Sequence, residues 1–274
     1  MISVLTNVSS LVAQRNLSFN NDSLSDSLSR LSSGLRVRSA ADDAAGLAIS
    51  EDFKAKIRSL NQAKRNANDG VSLAQTADGS LGEVQSMINR MRELAVQARN
   101  GTVNTTQKGY LNDEFQELKS EVDRIVATTE FNGVNLLDGT NASGIEFQIG
   151  VGTSTNDRLT LSIASTSAAA LSLSAASITS AGFADDAISK LDIALQGLSS
   201  RRAKIGAMQN RLQVTMSNID TYSTNLSAAN SRIVDVDVAA ETARMSKHQV
   251  LVQAGSAMLA QANQSPQIAL ALLK

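Results

Sequence analysis

The sequence predicts a mainly α protein: a long antiparallel helical bundle or coiled coil with a small β-hairpin region, in which the N- and C-terminal helices pair. Three observations support this prediction. Apolar residues recur with heptad spacing along two long segments. Of the 274 residues, 42% are hydrophobic but only 3% are aromatic, a composition that suits packed aliphatic helices better than an aromatic-lined ligand pocket. A short central region alternates apolar and polar residues between turn signals, as strands do.

The first long helix is predicted over residues 53 to 98, where apolar spacings of four and three alternate. Its seam consists of Phe53, Ile57, Leu60, Ala67, Val71, Ala74, Leu81, Ile88, Met91, Ala95 and Ala98. At 1.5 Å per residue, such a helix is about 70 Å long. We expect Gly101 to close it. A shorter helix should follow, with Leu111, Phe115, Leu118, Val122 and Ile125 on its apolar face.

A second seam of similar length lies towards the C-terminus and should pack against the first. It consists of Ile188, Leu191, Leu195, Leu198, Ile205, Leu212, Met216, Ile219, Leu226 and Ile233.

A β-hairpin region is expected at about residues 131 to 165. "FNGV" and "LDGTNASG" carry Asn-Gly and Asp-Gly turn signals, and "IEFQI" and "LTLSI" alternate over residues 145 to 149 and 159 to 163. The glycines of "IGVGTS" are interpreted as a turn. The following small, Ser/Thr-rich tract, about residues 164 to 182, is predicted to be an exposed surface loop.

Both ends of the chain are amphipathic helix candidates, which is unusual because termini are ordinarily polar. Two such helices alone would expose more apolar area than a soluble monomer tolerates, so they require a partner surface. The predicted polymerisation positions are Leu24, Leu28, Leu31, Leu251, Met258, Leu270 and Leu273.

Composition excludes several classes of function. A net charge of -1 without a clustered basic face argues against nucleic-acid binding. With no cysteine there is no disulfide or thiolate site. No apolar run reaches the roughly 20 residues of a membrane span. The N-terminus lacks a basic segment followed by an apolar core, so we expect secretion, if it occurs, to proceed without an ordinary cleaved signal peptide.

No catalytic, cofactor or metal site is predicted. The nucleophile-elbow, phosphate-loop and zinc-protease motifs are all missing. The one histidine, His248, has no second His or Cys at ligand spacing. A polar position on a packed helix is favoured for it over a metal ligand or catalytic base.

The stretch "SSGLRVRSAADDAAGLAIS", residues 32 to 50, resembles a carboxylate site but is better interpreted as a joint between helices. Gly34 can end the first helix in a left-handed conformation. Ser39 and Asp42 have capping-box spacing for the next helix, whose first turn would hold Asp42 and Asp43. Arg36 and Arg38 would pair with nearby carboxylates. A metal site would need more oxygen ligands than two neighbouring aspartates supply.

Four long motifs then identify a family resemblance. They are "LSRLSSGLRVRSAADDAAGLAIS" at 28 to 50, "MRELAVQARNGT" at 91 to 102, "LKSEVDRIVATTEFNGVNLLDG" at 118 to 139, and residues 229 to 273, which end "QIALALL". In this order they resemble bacterial flagellin over nearly all of the chain outside residues 140 to 185. Because that interval is short, the chain resembles a flagellin without large outer domains.

The resemblance implies a structural subunit, not an enzyme, that self-assembles into the extracellular helical filament of the flagellum for motility. Residues 1 to 44 and 234 to 274 would form an inner-tube coiled coil, residues 45 to 233 an outer-tube bundle, and residues 34 to 43 the spoke between them. It also implies unfolded type III export, an export chaperone, and contact with the cap and hook–filament junction proteins. No cofactor, nucleic acid or membrane partner is implied.

The resemblance also places a surface read by Toll-like receptor 5 at Arg90, Leu94 and Glu114. These residues are equally interpreted as contacts between subunits within the filament. Two alternatives to the filament subunit remain at this stage, a hook–filament junction protein and a secreted ligand of an innate immune receptor.

Overall fold

The computed structural model describes residues 6–271, with side chains to residue 264. Five helices occur in that part of the chain: α1 (Val8–Ser33), α2 (Ala44–Arg99), α3 (Thr105–Thr128), α4 (Ala181–Val234) and α5 (Val238–Ala271). Two antiparallel hairpins lie between α3 and α4, β1 (Glu130–Phe131) with β2 (Val134–Asn135) and β3 (Ile145–Gln148) with β4 (Arg158–Leu161). The predicted mainly α fold with a small β-hairpin region is confirmed.

The chain divides into two compact units. The terminal unit comprises residues 1–55 and 224–274, and the central unit comprises residues 56–223. The terminal unit contains α1 and α5, and the central unit contains α3, both hairpins and most of α2 and α4.

The core of the central unit is formed by aliphatic stripes on α2, α3 and α4. Leu81, Ile88 and Met91 of α2 are fully buried, as are Leu191 and Leu198 of α4. These positions belong to the two heptad seams of the sequence. Their burial shows that both seams face inward, as knobs-into-holes packing requires.

Ion pairs link α2 to α4 along their length and show that the two helices run antiparallel. As the position advances along α2, its partner recedes along α4. The pairs are Lys64–Asp220 at 2.7 Å, Asp78–Arg202 at 2.8 Å, Arg92–Asp192 at 2.7 Å and Arg99–Asp185 at 2.6 Å.

The two hairpins form where the turn signals predict them. Asn132 and Gly133 have φ of 51° and 76° between β1 and β2, the left-handed pair that a two-residue hairpin turn needs. In the second hairpin Ile145 pairs with Leu161 and Gln148 with Arg158. Its loop folds back on Asp157, so closely that a Cβ at Gly150 would collide with that carboxylate.

The Ser/Thr-rich tract is not the exposed loop that the sequence predicts. Apolar residues alternate with serines through it, and the central core buries Ile163, Ala168, Leu171, Leu173, Ala176 and Ile178. It ends where α4 begins, at Ala181. The prediction was wrong because it relied on the small, Ser/Thr-rich composition of the tract and not on the alternation of its apolar residues. That alternation buries one side of the tract, although the tract forms no regular strand.

Polar side chains on one face of α3 hold the backbone of this tract. Asn112 Oδ1 accepts from the backbone N–H of Ile178 at 3.1 Å, and Asp123 Oδ1 accepts from that of Ala168 at 2.8 Å. Gln116 Nε2 and Lys119 Nζ donate to tract carbonyls at 3.0 and 3.1 Å. Side chains of α3 thus provide hydrogen-bond partners for backbone groups of the tract, which forms no β-sheet.

The predicted end of α2 also differs. α2 ends at Arg99, so Gly101 lies in the turn beyond it rather than at the helix end. α3 begins at Thr105, and its N-cap residue Asn104 forms a capping box with Gln107.

Candidate assembly surface

The helices α1 and α5 pair in antiparallel orientation within the terminal unit. Asn7 Nδ2 donates to the carbonyl of Ala262 at 2.7 Å, and Ser10 Oγ donates to Asn263 Oδ1 at 2.7 Å. Further along, a Cβ placed on Gly255 would lie 3.3 Å from Leu17 Cδ1. The glycine therefore lets the two helices approach closely at this level.

The pair leaves large apolar side chains exposed along both helices. Ser27 is the one buried residue of α1. The exposed set, called here the terminal apolar surface, consists of Val8, Leu11, Val12, Phe19 and Leu28 of α1 and Val238, Val250, Leu251 and Met258 of α5. Phe19 is 68% exposed and Met258 is 64% exposed. An apolar surface of this extent indicates an interaction site.

The predicted polymerisation positions divide into three groups. Leu28, Leu251 and Met258 are exposed and belong to the terminal apolar surface, whereas Leu24 and Leu31 are half-buried. The side chain of Leu270 and the whole of Leu273 lie outside the described residues. Prediction from the sequence missed Phe19, because nine residues are two and a half turns of helix and place it on the side of α1 opposite Leu28.

The joint at residues 34 to 43 lies entirely within the terminal unit. Gly34 ends α1 with φ of 71°, as predicted. The following residues run beside the α4–α5 junction: Arg36 N–H donates to the carbonyl of Val234 at 2.6 Å, and the carbonyl of Gly34 accepts from the N–H of Val236 at 3.0 Å. These backbone bonds fix the end of α1 against the start of α5.

The two arginines of the joint have different partners. Arg36 Nη2 donates to a backbone carbonyl, that of Ile233, at 2.5 Å. Arg38 Nη2 binds Asp26 of α1 at 3.0 Å and lies 3.9 Å from Asp42. Only Arg38 therefore forms the predicted pairing with carboxylates.

Asp42 is the electrostatic centre of the joint. Its Oδ2 accepts from the backbone N–H groups of Arg38 and Ser39, each at 3.1 Å, and its Oδ1 lies 3.4 Å from Arg30 Nη2. The two backbone donors, followed by the charge of Arg38 and the hydroxyl of Ser39, hold the pKa of Asp42 below the ordinary aspartate value. The carboxylate is 15% exposed.

The start of α2 differs from the prediction. The helix begins at Ala44, and its first turn holds no acidic residue. Ser39 and Asp42 close a separate turn instead, while Asp43 Oδ1 caps the helix by accepting from the N–H of Gly46 at 2.9 Å. The spacing of Ser39 and Asp42 satisfied the capping-box pattern, but two aspartates in succession offered two cap positions, and the second one caps α2.

The residues predicted to meet a receptor do not form one surface. Arg90 and Glu114 form an exposed ion pair at 2.8 Å that joins α2 to α3. Leu94 is 0% exposed and belongs to the central core. In the folded chain the side chain of Leu94 is therefore inaccessible to a partner, whereas those of Arg90 and Glu114 are accessible. Helical spacing alone could not reveal that this position is buried in the central core.

Metal binding and membrane insertion find no support in the described part of the chain. Within it, no group of three or more His, Asp or Glu side chains could hold a metal ion, and no helix is both long and apolar enough to cross a membrane.

Comparison with known proteins assigns the chain to a family. The model of the bacterial flagellin N-terminal helical region matches residues 4–142, and that of the bacterial flagellin C-terminal helical region matches residues 188–273. The chain belongs to the bacterial flagellin family. Flagellins are structural proteins and not enzymes.

Two flagellin sequences and one flagellin crystal structure are similar to this chain. The flagellin of Halalkalibacterium halodurans is 47% identical over 268 residues, and that of Bacillus subtilis is 42% identical over 300 residues, each alignment covering 98% of both chains. The crystal structure of Bacillus cereus flagellin is 36% identical, with a TM-score of 0.51, over 61% of this chain and 94% of that one.

Proposed function

We propose that this flagellin polymerises into the helical filament of the bacterial flagellum, and that neighbouring copies cover the terminal apolar surface. The observation that carries this proposal is the α1–α5 pair, whose large apolar side chains face solvent in the single chain. Fully burying a side chain such as Phe or Met contributes about 1.5–3 kcal/mol. Several such burials are needed to offset the loss of freedom on association, and both helices supply them.

The two domains predicted from the sequence, whose bounds lie near those of the terminal and central units, would have different roles in this filament. Residues 1 to 44 and 234 to 274 would form the inner tube, because their apolar side chains require neighbours. Residues 45 to 233 would form the outer tube, because the central core already buries its own stripes. The joint at residues 34 to 43 would serve as the spoke between these domains, and its backbone bonds to residues 234 and 236 hold the end of α1 against the start of α5.

Export as an unfolded chain through the flagellar type III apparatus, with a dedicated chaperone, fits this architecture. A chain without cysteine needs no oxidation to refold outside the cell. Helical units with many local contacts also fold rapidly after release. At the ends of the filament the chain would contact the cap protein and the hook–filament junction protein.

Polymerisation of purified protein tests this function. Monomers released by heating should elongate filament seeds into fibres of uniform width, observed by electron microscopy. Met258→Asp should block elongation because it places a charge in the buried interface. Gln249→Asp, which adds the same charge at an exposed polar position on the opposite side of α5, should elongate nearly as the unmodified chain does.

Two results would contradict the proposal. One is a chain that forms no filaments under any seeding condition. The other is a Met258→Asp variant that elongates as well as Gln249→Asp. Assemblies that stop at short caps or rings would instead support the hook–filament junction alternative, since a junction protein does not elongate without limit.

A further inference from the structure

A basic groove lies in the central unit between β4 and the middle of α4. Residues 160–164 form one wall, and α4 residues between Arg201 and Arg211 form the other. Arg201, Lys204 and Arg211 all line it, on one stripe of α4 separated by three and seven residues. No carboxylate is among the described residues that line this groove.

The cations of the groove lack the partners that other cations of the central unit have. Arg201 Nη1 is shielded from solvent and has no hydrogen-bond partner among the described residues. Burial lowers the pKa of Arg201 from the ordinary arginine value, as expected for a charge that has lost water without gaining a partner. By contrast, ion pairs engage Lys64, Arg90, Arg92, Arg99, Arg124, Arg158, Lys190 and Arg202.

A shielded guanidinium with unused donors favours an oxyanion ligand. The two neighbouring cations raise the local positive potential, and Ile205 and Met208 add apolar surface to the lining beside them. A carboxylate reaching Arg201 would therefore gain both charge pairing and hydrogen bonds. It would also remove the cost of leaving Nη1 unsatisfied.

The chain carries a matching pair of carboxylates on another element. Asp113 and Glu117 are exposed, stand one turn apart on the same face of α3, and form no ion pair with any described residue. Their neighbours Glu114 and Glu121 are already paired, to Arg90 and Arg124. The rise along the helix is about 6 Å from Asp113 to Glu117 and about 4.5 Å from Arg201 to Lys204, so each pair spans about one helical turn.

We propose that this groove binds Asp113 and Glu117 of a second copy of the chain. The groove and the carboxylate pair share no residue, so the contact is heterologous: each copy uses one surface as donor and the other as acceptor. Repeated heterologous contacts that do not close into a ring produce a helical filament. The inference rests on the proposed function and names one contact through which the central units would meet.

Charge exchange in the full-length chain tests the pairing. Lys204→Glu and Glu117→Lys should each lower the rate of seeded elongation by at least about tenfold, because each places like charges together at a partly desolvated contact. Lys204→Glu combined with Glu117→Lys should restore the rate to within about threefold of the unmodified chain, because the pair re-forms with reversed polarity. Arg58→Glu, at an exposed position of α2 outside the groove, is the matched control and should change little.

Circular dichroism of each monomer confirms that the variants fold. Single variants that elongate like Arg58→Glu, or a double variant as slow as the singles, would overturn the pairing while leaving the filament function intact. A monomer that sulfate stabilises against heat, with the effect lost in Arg201→Gln and elongation unchanged, would assign the groove to a small anion instead. A chain that never polymerises would overturn both the pairing and the proposed function.

Discussion

The terminal and central units use apolar residues in opposite ways. In the central unit α2 and α4 bury most of their aliphatic stripes, with Leu81, Leu191 and Leu198 at 0% exposure. In the terminal unit α1 and α5 pair, yet Phe19 and Met258 remain about two-thirds exposed. The same kind of amphipathic helix thus builds a self-sufficient core in one unit and an incomplete one in the other. The difference indicates which unit is stable alone and which depends on other copies.

The largest expected effect is on the stability of the central unit. Leu94→Ala should lower its free energy of unfolding by about 2–5 kcal/mol, because the substitution leaves a cavity in a fully buried site. Ile193→Ala, at a position of α4 that is 68% exposed, should change it by about 0.5 kcal/mol or less. Urea denaturation of monomers measures both. Equal effects of the two variants would show that Leu94 does not lie in the core.

A second prediction separates assembly from stability. Phe19→Ser should leave the unfolding of the central unit unchanged but raise the concentration needed for polymerisation by about tenfold, because an apolar side chain is lost from each subunit contact. Asn21→Ser on the same helix removes little apolar area and should polymerise normally. Sedimentation of seeded reactions over a concentration series measures the change. A lower monomer stability with unchanged polymerisation would place Phe19 in the core of a single chain.

A smaller effect is expected at the end of α1. Gly34→Ala should destabilise the terminal unit by about 1 kcal/mol, since no atom obstructs a Cβ there but φ of 71° is strained for alanine. Gly101→Ala has equally open surroundings without a positive φ and serves as the control. Hydrogen exchange of residues 30 to 37 should accelerate only in the first variant. Unchanged exchange would show that the left-handed cap contributes nothing to the joint.

The smallest expected effect concerns pH. A lowered pKa means that the folded chain favours the ionised form of Asp42, so its contribution to stability is full above the ordinary value of 3.8 and is lost as the pH falls through the lower folded value. The amide signals of Arg38 and Ser39 should titrate with a midpoint below 3.8 in nuclear magnetic resonance spectra. Asp42→Asn should abolish this titration. A midpoint at or above the ordinary value would contradict the bonding described for the joint.

Much of the fold could be predicted from the sequence because its determinants are local. The heptad seams mark the buried stripes of α2 and α4, and the Asn-Gly signal at residues 132 and 133 specifies the first hairpin turn. The left-handed end of α1 follows from Gly34 alone. Each of these features depends on residues within a few positions of one another.

The errors arise where a distant segment decides the environment. Leu94 is buried in the central core, and residues of α3 hold the backbone of the Ser/Thr tract against that core. Neither arrangement is visible in the periodicity of a single segment. The basic groove was missed for the same reason, since Arg201 becomes shielded only when residues 160–164 pack beside α4.

Hydrogen exchange of the monomer and the filament, compared helix by helix, tests most directly whether the terminal unit is completed by other copies. Amides of α1 and α5 should exchange rapidly in the monomer and become strongly protected in the filament, whereas buried parts of α2 and α4 should be protected in both. Equal protection of α1 and α2 in the monomer, with no gain for α1 on polymerisation, would contradict the division between an incomplete terminal unit and a self-sufficient central unit.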